Sequence, residues 1–366
     1  MTGDVREELR RRTASAIEAA IRDEVTPGAV VLVGRGDEVL CHEARGHRML
    51  QPERRPMQLD AIFDLASLTK PVATAPCVLQ LIERGDLSLD TPVRAILPGF
   101  TGDGRAAATV RHLLTHSAGL PAYRNYLDAL GEDVPPAQRR RRVVDDICCL
   151  PLEHAPGEGF LYSCLGYILL ASVVEAVADT TLDELAEESV FRPLGMADTC
   201  FNPRPERALR CAATEQLSDG VLCGVVHDEN ARYLGGVGGN AGLFSTARDL
   251  SRFMQAILGG GQLDGARILT EESVRRMISP QLELGETRRG LGWDIASSHS
   301  PQVRGGFPPG GIGHSGYTGT SIWADPASGV YVILLTNRVH LGRDREVGPL
   351  RREVATIAAD LLLHAQ

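Results

Sequence analysis

The placement of strand-forming residues constrains this chain most, because they gather at its two ends. Near the start, residues 29–33 (Ala-Val-Val-Leu-Val) and 38–42 read as two strands joined by a turn at Gly34, Arg35, Gly36 and Asp37. Near the end, 320–324 and 330–336 form a second hairpin signal around Asp325-Pro326-Ala327-Ser328-Gly329. Helical periodicity flanks both. Val5, Leu9, Ala16, Ile17, Ala20 and Ile21 share one face before Pro27 and Gly28 stop the pattern, and Leu350, Val354, Ile357, Leu361 and Leu362 share another. The middle of the chain reads as helices at 72–83, 162–178, 182–191, 247–258 and 271–278, separated by loops rich in Gly and Pro. Isolated hairpins cannot bury their apolar faces, so the two ends are expected to pair in one antiparallel sheet covered by the terminal helices. The predicted fold class is α+β: a discontinuous sheet lobe from 1–70 and 286–366, an inserted, mainly helical lobe from 71–285, and a site between them.

A chain of 366 residues with 43% hydrophobic and 23% charged residues has ordinary globular composition and enough apolar surface for a sizeable core. Its net charge of -9 gives no electrostatic footprint for phosphate backbones, so nucleic acid is excluded as an expected partner. The charged opening, Met1 to Arg12, leads into no apolar secretory region, and no run approaches the roughly 20 apolar residues of a membrane span. A cytoplasmic protein is the expectation. Eight cysteines without a CxxC pair read as reduced, mostly buried thiols.

One residue stands apart. Of the 38 basic side chains, 37 are arginine, and the single lysine is Lys70. An amine differs from a guanidinium chiefly in that it loses its proton when desolvated or set beside another cation. The neighbours Phe63, Leu65, Ala66, Leu68 and Val72 are apolar, so Lys70 reads as a buried base. Ser67 precedes it by three residues, and where Ser67 opens the predicted helix the two share a face, amine beside hydroxyl. A helix start also offers unpaired N–H groups to a developing oxyanion. Two more segments join this pair: Phe160-Leu161-Tyr162-Ser163-Cys164-Leu165-Gly166-Tyr167, which places a phenol at a loop-to-helix junction, and Gly313-His314-Ser315-Gly316-Tyr317-Thr318-Gly319, whose glycines allow a ligand close to the backbone.

Together these motifs resemble the serine penicillin-recognising enzymes: class C β-lactamases, D-alanyl-D-alanine carboxypeptidases, D-aminopeptidases and β-lactamase-fold esterases. Further stretches resemble landmarks of that family along nearly the whole chain, among them 85–93, 111–120, 193–196 and 241–246. The resemblance implies a β-lactamase/transpeptidase-like fold, Ser67 as acylated nucleophile, Lys70 as base, Tyr162 as the phenol that passes the proton on, and an oxyanion hole from the backbone N–H groups of Ser67 and Tyr317. It implies substrate contacts at Cys164, His314, Ser315 and Gly316, and no metal or cofactor. Two departures bear on substrate. Cys164 stands where the family usually has asparagine, so the amide that pairs with a substrate carbonyl is missing. His314 replaces a common lysine and is mainly neutral near its ordinary pKa of about 6.5, a weaker anchor for a carboxylate. Arg338, after the last strand, is a candidate for that fixed positive charge.

Other signals carry less. His112 and His116 sit four apart without an accompanying carboxylate and read as structural rather than metal ligands. His227-Asp228-Glu229-Asn230 reads either as a polar loop lining the cleft or as a turn, and the glycine-rich stretch 235–242 reads as a tight turn. Arg139 to Arg142 read as the solvated start of a helix. No G-x-S-x-G elbow is present. The expected function is a cofactor-free serine hydrolase acting through an acyl-enzyme on Ser67, with small carboxylic esters ahead of β-lactams and D-amino-acid peptides. A protein that keeps the fold only for binding or self-assembly is the alternative, which acylation of Ser67 would separate from catalysis.

Overall fold

The computed structural model describes residues 3–102, 104–218, 220–297 and 304–363. Nine strands form the main sheet. From the N-terminal end come β1 (Gly28–Arg35), β2 (Glu38–Met49) and β3 (Arg55–Pro56). From the C-terminal part come β4 (Leu282–Leu284), β5 (Thr287–Arg289), β6 (Asp294–Ala296), β7 (Ile312–Ser315), β8 (Ser321–Asp325) and β9 (Val330–Thr336). Their spatial order is β4-β5-β6-β7-β8-β9-β1-β2-β3, with antiparallel pairing throughout, so β9 and β1 join the two ends of the chain inside the sheet. Val31 lies opposite Leu334 on one side and Glu43 on the other.

The central strands are apolar on both faces because both faces are covered. Val31, Val33, Val332 and Leu334 face the terminal helices α1 (Gly3–Arg22) and α4 (Gly348–Leu362), packing with Leu9, Ile17, Val354 and Ile357. Val30, Leu32, Ile333 and Leu335 face the opposite core, which is continuous with the inserted helices. There, α2 (Ala75–Arg84) and α3 (Cys164–Ala178) are central. Every residue of α3 from Leu165 to Val174 is buried, so it is apolar all round rather than striped. Among the described residues no single helix is long and apolar enough to cross a membrane.

Several strands had no sequence signal. The sheet resumes at Leu282, ahead of the expected 286, and β4, β5 and β6 are three residues each. Segments that short show no periodicity; pairing with a neighbour defines them. The stretch expected only to lead into a strand is itself β7, which pairs with β8 across the turn at 316–320. The outer ends of the expected lobe, Met1 and Gln366, lie outside the described residues. Of the expected solvated arginines, Arg139 and Arg140 instead fold back, donating to the Val134 carbonyl at 3.0 Å and the Val237 carbonyl at 2.7 Å. Fully buried Leu169 marks the core around α3. Leu169→Ala should lower unfolding stability by about 2 to 5 kcal/mol, read from denaturant unfolding.

Candidate active site

The helix that begins the site is assembled from three different turns. A tight turn at Ala66–Leu68 passes into a wide turn at Lys70–Thr74 and then into α2, which Gly85 ends in the left-handed region. Ala66 has φ +46°, a strained value for a residue with a Cβ. Asp64 holds it there. One carboxylate oxygen accepts the Ala66 N–H at 2.9 Å and the other accepts the His227 N–H at 2.6 Å. Burial pushes the Asp64 carboxyl up, while those two donors pull it down. Ser67 follows at the first turn, where a helical N–H has no acceptor within the helix.

Lys70 is fully buried. Its Nζ lies 3.0 Å from Ser67 Oγ, 2.9 Å from the Asn240 carbonyl oxygen and 3.8 Å from Cys164 Sγ. Burial is the largest influence on the amine and disfavours its charged form; Cys164, Tyr162 and Asp228, when anionic, act the other way and carry the balance upward. Burial also pushes up both the Tyr162 phenol and the Cys164 thiol. With those two groups protonated at neutral pH, their opposing charges are gone and burial works on the amine against Asp228. A neutral amine then has two N–H bonds, which suit the Asn240 carbonyl and the soft Cys164 sulfur, and one lone pair, which suits the Ser67 hydroxyl.

Tyr162 stands two residues ahead of α3, whose N-cap Ser163 accepts the Gly166 N–H at 3.3 Å. Nearby Lys70 and Ser67 favour its ionised form, against the burial that outweighs them. Its ring packs on His116 at 4.4 Å between centroids and on His314 at 5.9 Å. His116 Nδ1 accepts the Ser163 N–H at 3.1 Å, whereas His112 Nδ1 accepts the Thr109 N–H at 3.1 Å. The two histidines therefore serve separate backbone donors.

The turn between β7 and β8 closes the site from the sheet side. Thr318 and Thr320 donate to the carbonyls of Asp64 and Leu65, at 2.7 and 3.0 Å. This lays the turn against the segment that launches the helix. A Cβ on Gly316 would overlap Thr320 Oγ1 and the Leu65 carbonyl, so only glycine allows that approach. Arg351 of α4 fixes the turn from behind, donating to the Gly316 and Thr320 carbonyls at 2.6 and 2.9 Å. Tyr317 is exposed, stacks on His227 at 5.6 Å, and receives the Arg338 guanidinium over its face at 4.8 Å.

These groups border one cavity of about 570 Å³. Ser67, Tyr162 and Cys164 line one wall, and Ser315, Gly316, Tyr317 and Arg338 another. His314 does not line it: its side chain is buried against the Tyr162 ring, with Nδ1 3.0 Å from the Ser315 carbonyl oxygen. Sequence reasoning missed Arg351, also a lining residue. Burial and the neighbouring Arg338 push its guanidinium down to about 9. Among the described residues neither Arg338 nor Arg351 is ion-paired; Arg338 donates instead to the carbonyls of Arg343 and Arg345. At the rim, Arg343 bridges Glu215 and Glu229 at 2.7 and 2.6 Å. Nothing marks Arg351 among 37 arginines, and Asn240 hides in a stretch that reads as a glycine turn.

A protein-family model described as Beta-lactamase matches residues 13–356. A provisionally named D-alanyl-D-alanine carboxypeptidase of Escherichia coli K12 is 33% identical over 303 residues, which cover 76% of this chain and 69% of that one. An N-acetylmuramyl-L-alanine amidase of Bacillus subtilis is 31% identical over 344 residues, covering 86% and 78%. The solved structure of "EstCE1, a hydrolase with promiscuous acyltransferase activity" superposes with a TM-score of 0.76 at 23% identity, covering 96% of this chain and 99% of that one. The chain belongs to the β-lactamase family of serine hydrolases, with the α+β fold of that family.

Displacing the 316–320 turn moves Tyr317 relative to Ser67, and misplacement of about 1 Å at a reacting centre costs on the order of 100-fold. Gly316→Ala should therefore lower kcat/KM by roughly that factor; steady-state kinetics on the folded variant check it.

Proposed function

We propose that this protein hydrolyses a small carboxylic ester through an acyl-enzyme on Ser67. The observation that carries the reading is the buried amine, 3.0 Å from the Ser67 hydroxyl and held on its other sides by a carbonyl and a thiol. In this reading neutral Lys70 takes the Ser67 proton as Oγ attacks the ester carbonyl. The oxyanion is held by the backbone N–H groups of Ser67 and Tyr317. Collapse expels the alkoxide, which takes its proton through Tyr162, and a water then attacks the acyl-enzyme by the reverse route. The ester preference rests on Cys164, which lines the cavity and offers no amide to a substrate carbonyl. No metal or cofactor enters any of these steps.

A second reading, a carboxypeptidase on D-alanyl peptides or a β-lactamase, draws support from the two arginines. Arg338 and Arg351 are cations bordering the cavity that have no carboxylate partner among the described residues, and a substrate carboxylate would compensate them. The name of the Escherichia coli relative points the same way. Hydrolysis of a p-nitrophenyl ester, nitrocefin and a D-alanyl-D-alanine peptide should be compared on one preparation. Ester turnover above the other two is expected; turnover of the peptide or nitrocefin alone reverses the ranking. Lys70→Arg replaces the amine by a guanidinium that does not give up its proton, so turnover should fall at least about 100-fold, with the circular dichroism spectrum of the parent showing that the variant is folded. Arg338→Ala should raise KM about tenfold for a carboxylate-bearing substrate and leave a neutral ester nearly unaffected.

A further inference from the structure

The glycine-rich stretch after helix Glu229–Tyr233 is sewn onto the catalytic helix rather than left as a surface turn. Thr74 Oγ1 donates to the Gly239 carbonyl at 2.7 Å, Lys70 Nζ to the Asn240 carbonyl at 2.9 Å, and the Leu243 N–H to Thr69 Oγ1 at 3.1 Å. Gly239 has φ +76°, and a Cβ there would overlap the Tyr167 carbonyl oxygen of α3. The Asn240 side chain is fully buried, and its Nδ2 donates to Asp228 Oδ1 at 3.2 Å. The same carboxylate oxygen accepts the Ala231 N–H at 2.8 Å as the N-cap of the 229–233 helix. Asp228 is thus anchored at the helix start, lines the cavity, and grips the residue whose carbonyl holds the amine.

Resting on the reading of Lys70 as the base, we propose that Asp228 is its positioning residue: through Asn240 it fixes the carbonyl that takes one amine N–H, and its carboxylate sets the charge the amine meets. The other groups facing the amine are Ser67 on its own helix, Tyr162 and Cys164 from the start of α3, and the Tyr167 ring at 5.5 Å. Around Asp228 the titratable groups are Asp64, His227, Glu229, Cys164 and the Tyr123 phenol, which burial keeps neutral, with Arg343 committed to Glu215 and Glu229. Cys164 and Tyr162 are kept neutral by burial, which leaves Asp228 as the carboxylate among the groups that favour the ammonium form. A carboxylate near an ammonium stabilises it, so removing the charge lets the amine lose its proton at lower pH.

Asp228→Asn keeps an oxygen for both the Asn240 and Ala231 donors and removes only the charge. The acid limb of the kcat/KM profile for p-nitrophenyl acetate should move down by about 0.5 to 1 pH unit. Asn240 keeps its carbonyl but loses its grip in Asn240→Ala, which should lower kcat about tenfold with KM held within twofold. An unmoved acid limb in Asp228→Asn, or a kcat within twofold of the parent in Asn240→Ala, overturns the inference. Asp228→Asn preserves the helix cap, so the pH profile stands if Asn240→Ala does not fold. Lys70→Arg, run alongside, separates the two layers: full turnover there ends the base assignment and this inference with it, whereas a silent Lys70→Arg with an unmoved Asp228→Asn profile overturns this inference alone.

Discussion

A single buried amine organises the site. Lys70 is fully buried, and a charged ammonium in that place lacks the water that would stabilise it. What the helix provides instead is a hydroxyl at 3.0 Å and, from a loop more than a hundred residues away, a carbonyl at 2.9 Å. These contacts hold the nitrogen whichever protonation state it adopts, and the surrounding thiol and phenol are kept neutral by the same burial that works on the amine.

The rest of the fold holds that helix start still. Three segments meet there: the strand at Phe63–Asp64, the strand at Leu243–Ser245 beside it, and the turn between β7 and β8. The first two pair as strands, and Asp64 also holds the loop at His227, accepting the Ala66 and His227 N–H groups through one carboxylate. Thr318 and Thr320 link the third through the carbonyls of Asp64 and Leu65. Strain at Ala66 persists because these contacts over-determine it. The sheet matters chiefly as the rigid frame from which the 316–320 turn is hung, with Arg351 of α4 clamping its carbonyls from the far side.

Charge is distributed to match. Carboxylates and Arg343 form a closed network at the rim, where Glu215 and Glu229 satisfy one guanidinium between them. Along the same cavity, Arg338 and Arg351 donate to carbonyls, Arg338 also lies over the Tyr317 ring, and among the described residues neither is ion-paired. Two neighbouring cations in such a place repel one another, which is why Arg338 helps to lower Arg351. Arg338 and Arg351 thus border the cavity together with Ser67 and Cys164.

Much of this was legible in the sequence because it is local or periodic. The helix at Ala247–Leu258 and the strand at Val330–Thr336 follow from residue pattern alone, and the offset between Ser67 and Lys70 already sets hydroxyl beside amine on one helical face. The lone lysine among 37 arginines singles out the one amine, which the fold buries beside Ser67. Contacts made across long separations were not legible. Asn240 offers its backbone carbonyl, a group every residue carries, so no side-chain signal marks it. His314 shares a motif with Ser315 and Gly316, yet it is buried against the Tyr162 ring while its neighbours border the cavity. Composition and spacing determined which groups this protein brings to its chemistry; only the packing of distant segments decided which of them face the substrate and which hold the amine in place.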